Sequence, residues 1–121
     1  NGVALISRTP VEDVRMGFSA ELIDDVQAEE LSAQKRVISA LIDGVRVVNL
    51  YVPNGSSLSS DKYIYKLTWL SCLERYLRAS ETRDEPLCGV GDINIGLEAR
   101  DLPDPDRLSG GIMASDRERD A

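Results

Sequence analysis

Histidine is absent from all 121 residues. That removes a Ser-His-Asp triad, a histidine general base and the His-containing zinc sites from what these residues can build. No apolar run approaches the ~20 residues that span a bilayer. Cysteine is scarce: Cys72 and Cys88 sit among apolar neighbours, one in a predicted helix and one in a predicted strand. Both read as buried reduced thiols, with a disulfide or a nucleophile as the alternatives. Basic residues are outnumbered, 14 Lys and Arg against 21 Asp and Glu, for a net charge of −7. That balance gives no support by itself to a nucleic-acid partner, which usually demands a basic face. The charge is uneven, with Asp24, Asp25, Glu29 and Glu30 in one segment and Lys62, Lys66, Arg75 and Arg78 in another. Both clusters read as solvated faces. Internal repeats and low-complexity tracts are also missing.

What is present suits one compact domain, with an ordinary apolar content of 42%. The first residue is Asn1, not methionine, and an apolar run begins almost at once. Near the other end Ser115 and Glu118 have the spacing of a capping box, which announces a helix shortly before Ala121. The expectation is an interior piece of a longer protein, residues 1–121 being the central portion of a single domain. A missing signal peptide then says nothing about compartment.

Residues 3–6 read as a buried strand. Residues 11–34 are acidic and weakly periodic, mostly irregular, with a short helical turn around Ala28 to Leu31. Residues 36–42 and 45–52 are β-rich runs joined by Asp43-Gly44, a hairpin signal because a type I′ turn needs positive φ at both positions. Pro53 ends the second run. The serines at 56–60 can cap a helix over about 60–79, in which Tyr65, Trp69, Cys72, Leu73 and Tyr76 form an apolar stripe. Trp69 reads as a core anchor rather than a stacking platform, with Lys66, Glu74 and Arg78 on the helix surface. Residues 87–90 form a continuous apolar strand, expected to be fully buried.

Two turns carry the chemistry. Tyr51-Val52-Pro53-Asn54-Gly55 leaves one strand and Gly91-Asp92-Ile93-Asn94-Ile95-Gly96 leaves another. The helix between the strands is a crossover of the kind that joins parallel neighbours, so both turns are expected at one sheet edge. Open α/β sheets bind ligands outside the carboxyl ends of their strands. Asp92 and Asn94, two apart in an extended segment, are expected to share a face, with Ile93 and Ile95 turned into the core. Asp92 could orient a water or hold a metal. The carboxamides of Asn54 and Asn94 and the phenol of Tyr51 could hold phosphate oxygens. Either motif alone is also an ordinary turn; their shared placement favours function.

These motifs, with Lys66 and Trp69 between them, resemble the exodeoxyribonuclease III family of AP endonucleases, within the endonuclease/exonuclease/phosphatase superfamily. The opening Asn1-Gly2-Val3-Ala4 and the run Arg36-Val37-Ile38 are similar to strands of that family. The resemblance implies an α/β fold, part of a four-layer α/β sandwich of two packed mixed sheets flanked by helices. It implies hydrolysis of DNA phosphodiesters dependent on Mg²⁺ or Mn²⁺, on double-stranded DNA with an abasic site or a 3′ end. A cytoplasmic protein, monomeric at full length and acting in base excision repair, goes with it. By position, Asp92 would align the attacking water, Asn94 would orient the site, Tyr51 would bond the scissile phosphate and Asn54 would contact the DNA backbone. Asp92 and Asn94 could also serve a second metal. The family's main metal-binding Glu and its Asp-His pair fall outside residues 1–121, so the piece alone is expected to be inactive and poorly folded. Rival readings are a phosphoesterase of the same superfamily acting on inositol phosphates or sphingolipids, and a non-catalytic acidic interaction module.

Overall fold

A computed structural model of the chain describes residues 2–81 and 84–121. The elements are β1 (Glu12–Met16), α1 (Val26–Ser32), β2 (Val37–Ile42), β3 (Val45–Tyr51), α2 (Asp61–Glu81), β4 (Leu87–Asp92), α3 (Pro105–Leu108) and α4 (Asp116–Arg119). Short 3₁₀ turns add Phe18–Ala20 and Ala99–Asp101. The strands make one mixed sheet in the order β1-β2-β3-β4. β2 is antiparallel to β1 and to β3, and β4 runs parallel to β3. The class is α/β, as the sequence pattern implies.

Local chemistry explains the two connections that matter. At the β2–β3 hairpin, Asp43 and Gly44 take φ of 50° and 77°, the positive pair that a type I′ turn needs. The ladder then runs without interruption from Ile42↔Val45 to Val37↔Leu50. α2 begins after Ser60, whose Oγ accepts the Tyr63 N–H at 3.2 Å, and so satisfies one orphan donor of the first turn. This 21-residue helix carries the chain from β3 to its parallel partner β4.

The chain divides into two compact units: the residues up to Tyr51 with Cys72–Asp92, and Val52–Ser71 with Ile93–Ala121. The first contains the sheet and α1. Its core is Phe18, Ala28, Leu31, Val37, Ala40, Val48, Leu50, Cys72 and Tyr76. The Phe18 and Tyr76 rings meet edge to face at 5.6 Å, the arrangement their quadrupoles favour, and the Tyr76 hydroxyl reaches Ser39 Oγ at 3.2 Å. The second unit buries Val52, Tyr63, Trp69, Leu70 and Ala114 together with Lys66, Ser115 and Glu118. Trp69 is a core anchor. The Ser115–Glu118 capping box forms at the start of α4.

Several expectations are corrected. Residues 3–6 form no strand, and Ile6 is 98% exposed. The Ala4 carbonyl there accepts the side-chain amide of Asn49 at 2.8 Å, so this main chain meets a side chain and not a strand edge. Asn1 of the same motif lies outside the described residues. The stretch 11–34 holds a full strand and a seven-residue helix. β1 hides its periodicity because it is an exposed edge strand with a bulge between Glu12 and Arg15, where Asp13 has φ 44°. α1 extends the predicted turn, and Asp25, read as part of a solvated cluster, is its N-cap, accepting the Ala28 N–H at 2.9 Å. β4 is exposed along most of its length, which leaves Cys88 exposed while Cys72 is buried. β4 lies at one end of the strand order, so among the described residues β3 is its one strand neighbour. On α2 the buried positions are Tyr63, Lys66, Trp69, Leu70, Cys72, Tyr76 and Ser80, with Tyr65 and Leu73 half-buried. Among the described residues no helix is long and apolar enough to cross a membrane.

Candidate active site

In the first unit the parallel ladder between β3 and β4 ends on Tyr51↔Asp92. Register partners project from the same face of a sheet, so the phenol and the carboxylate share one side. Burial tells which side. Along β3 the residues Arg46, Val48 and Leu50 are buried, while Val45, Val47, Asn49 and Tyr51 are half-buried. Tyr51 and Asp92 therefore stand on the more open face, at the C-terminal ends of their strands.

Tyr51 is fixed from the other side by Arg36, which precedes β2. The Tyr51 N–H donates to the Arg36 carbonyl at 2.9 Å, and the Arg36 guanidinium donates to the Tyr51 carbonyl at 3.2 Å. The guanidinium carbon lies 4.6 Å from the centre of the Tyr51 ring, a cation–π distance that orients the ring as well as the backbone. Gly91 is required by the ladder. Its φ is 123°, and a Cβ there would collide with the Leu50 carbonyl.

In the second unit the asparagines meet each other. Asn54 Nδ2 lies 3.5 Å from Asn94 Oδ1, and Asn94 Nδ2 donates to the Val52 carbonyl at 2.9 Å. Asn54 Oδ1 accepts the Ser56 N–H at 3.2 Å. Beneath both lies a residue the sequence pattern assigns to the surface. Lys66 is fully buried, and its ammonium donates to Glu118 Oε1 at 2.5 Å, to the Asn94 carbonyl at 2.7 Å and, at longer range, to the Asn54 carbonyl at 3.4 Å. Glu118 is buried too. Burial opposes its charge, but bonds from Lys66, from the Ser115 hydroxyl and amide and from the Met113 amide outweigh that and hold its carboxyl below the usual range. Removing one member of such a pair costs about 3–5 kcal/mol, because the other charge is left buried.

The structure therefore brings Tyr51 together with Asp92, and Asn54 together with Asn94. It does not support the alternation drawn through Asp92, Ile93 and Asn94. β4 ends at Asp92, Asn94 has φ 47°, and Ile93 is 44% exposed rather than turned into a core. Lys66, Glu118 and Arg36 are the residues that motif reading misses. A signal existed for two of them: Lys66 falls three residues from Tyr63 and from Trp69, and Glu118 closes a capping box.

A divalent cation takes a cluster of oxygen ligands. Among the described residues no three of His, Cys, Asp and Glu are grouped to hold a metal, and the buried carboxylate Glu118 is already paired with Lys66. These residues by themselves do not fit a resident Mg²⁺ or Mn²⁺.

No family model matches the chain. Solved structures and curated sequences do. A 3′ phosphatase, NExo, from Neisseria, seen with a product DNA hairpin, is 38% identical over 94% of this chain, with a TM-score of 0.80 and 41% of its own length covered. An AP endonuclease from Archaeoglobus fulgidus is 34% identical over 94% of this chain, with a TM-score of 0.75 and the same 41% of its length covered. The exodeoxyribonuclease III of Haemophilus influenzae is 29% identical over 106 residues, which are 84% of this chain and 37% of that protein. The chain thus spans about two fifths of the length of the relatives it matches.

The fold places the chain in the α/β class, with a mixed sheet that ends on Tyr51 and Asp92. Over about two fifths of their length, the chain is similar to members of the exodeoxyribonuclease III/AP endonuclease family.

Proposed function

We propose that this chain supplies part of the site of a DNA repair nuclease, a 3′-to-5′ exodeoxyribonuclease and AP endonuclease that hydrolyses phosphodiesters of double-stranded DNA. The observation that carries this reading is the register pair Tyr51↔Asp92 at the ends of two parallel strands, the edge at which open α/β sheets take ligands. In this reading Asp92 aligns the attacking water and Tyr51 donates to a phosphate oxygen. Asn94 orients the site and Asn54 contacts the DNA backbone. The described sheet is part of a four-layer α/β sandwich in the whole protein, which works as a monomer with Mg²⁺ or Mn²⁺.

The test is cleavage by the protein that carries this chain. A duplex with one abasic site and a duplex with a recessed 3′ end are compared with a soluble phosphoinositide. Cleavage of both DNAs, lost on Asp92→Asn, is the expected result. Hydrolysis of the phosphoinositide alone, or an Asp92→Asn variant as active as the parent, would overturn the reading. The 121 residues by themselves, which contain no histidine, are expected to leave both duplexes uncut.

The likeness to NExo favours a second reading, removal of a 3′ phosphate from DNA. A duplex ending in a 3′ phosphate separates the two. Release of inorganic phosphate without nucleotides marks the phosphatase; release of nucleotides marks the exonuclease.

A further inference from the structure

The two asparagines of the proposed function, one contacting the DNA backbone and one orienting the site, sit on irregular backbone. Asn54 follows Pro53 beyond the end of β3, and Asn94 has left-handed φ beyond the end of β4. No strand ladder holds either of them. One side chain reaches the main chain of both. The Lys66 ammonium donates to the main-chain carbonyls of both Asn54 and Asn94, and is itself held by Glu118.

We propose that the buried Lys66–Glu118 pair is a positioning device that sets the backbones, and hence the carboxamides, of Asn54 and Asn94 for substrate. Three observations argue for this over simple core filling. A buried ammonium has three protons to place, and here they are matched by one carboxylate and by the carbonyls of the two site asparagines. Glu118 in turn accepts the Met113 N–H at 3.0 Å, and Met113 Sδ lies 3.7 Å from Asn54 Nδ2. A core residue without this duty gains nothing from being charged, since burying an ion is costly unless every bond is made. Lys66 contacts no substrate in this account. It acts through the asparagines, and the proposal rests on their role.

The test uses the protein that carries this chain, with four variants. Lys66→Met/Glu118→Leu removes both charges at similar volume. Glu118→Gln is the milder variant, keeps Lys66, and takes over the test if the double variant does not fold. Lys66→Met alone gives the uncompensated case, and Asn94→Ala tests the underlying role. Cleavage of an abasic duplex is measured with thermal midpoints and with the side-chain amide signals of Asn54 and Asn94 in ¹⁵N-asparagine-labelled protein.

The expected result is a fall in kcat of about tenfold to a hundredfold in the double variant, even where its midpoint returns toward the parent's. The two asparagine signals should shift while the Trp69 indole signal stays. If kcat returns with stability, or both amide signals remain in place, the pair only fills the core and the proposal fails. Asn94→Ala keeps the two failures apart. Loss of activity there with normal activity in the double variant overturns the positioning role and leaves the nuclease reading intact. Full activity in Asn94→Ala overturns the role of the asparagine on which both depend.

Discussion

Tyr51 and Asp92 are paired by a ladder of main-chain bonds, whereas the main-chain carbonyls of Asn54 and Asn94 converge on a buried side-chain ammonium. The ladder is built from groups that nearly every residue carries. Six consecutive register pairs, from Arg46↔Leu87 to Tyr51↔Asp92, support the first pair of residues. The second pair depends on Lys66 and its carboxylate partner. Two routes to an ordered site differ in how they fail: a ladder loses a rung, but an ion pair loses its balance of charge.

Asp92→Asn is the largest expected effect on the strand-end side. Asp92 is exposed, so exchange for the isosteric amide should leave the thermal midpoint nearly unchanged. Activity should fall by about 10²–10⁴ if the carboxylate directs the water. A loss smaller than tenfold, measured as kcat on an abasic duplex, would make the carboxylate a bystander. The emphasis of the comparison would then move to the asparagines.

Gly91→Ala breaks the ladder itself. The new Cβ would meet the Leu50 carbonyl in a backbone held at φ 123°, so the β3–β4 pairing must shift or the chain must bear the strain. Held in place, such a residue costs about 1–3 kcal/mol. A denaturant midpoint unchanged from the parent would show that the register is looser than the Tyr51↔Asp92 pairing requires.

The contrast also explains what sequence patterns could reveal. The hairpin was legible because Asp43-Gly44 has one conformational use between two β-branched runs. The parallel pair was legible because a helix of this length has few ways to return to a sheet. From these two facts the proximity of Tyr51 and Asp92 followed. Lys66 was misread because hydropathy assigns ammonium groups to water, and only a partner 52 residues away, Glu118, makes its burial tolerable. β1 was missed for a related reason. It is held by its pairing with β2 and by ion pairs among Asp13, Arg15 and Arg46, and not by an apolar stripe. Residues 3–6 failed in the opposite sense, since an apolar run predicts burial only where something covers it.

Arg36→Leu is a smaller probe of the strand-end pair. It removes the cation above the Tyr51 ring and the bond to the Tyr51 carbonyl, while the ladder bond between the two backbones remains. A cation–π contact of this kind is worth about 0.5–2 kcal/mol. A modest loss of stability is expected, with a loss of kcat no larger than that of Tyr51→Phe. If Arg36→Leu costs more activity than Tyr51→Phe, the guanidinium itself serves the substrate and the ring is secondary.

Asp13 gives the smallest effect and the clearest sign. The hydrogen bond from Arg15, then that from Arg46, lowers its carboxyl from 3.8 to about 2 against the opposing effect of burial. A carboxyl depressed in the folded state adds stability above its ordinary value and loses it as pH falls through the folded value. The contribution should be complete above about pH 5, mostly lost by about pH 2 and gone near pH 1. The side chain is 46% exposed, so screening keeps the effect small and 1 M salt should shrink it further. Asn tolerates the positive φ at this bulge, so Asp13→Asn isolates the charge from the backbone. Denaturant midpoints at pH 6, 4 and 2 should show the variant less stable at pH 6, with most of that gap closed at pH 2. A constant gap across the three would mean that the bulge is held by geometry alone.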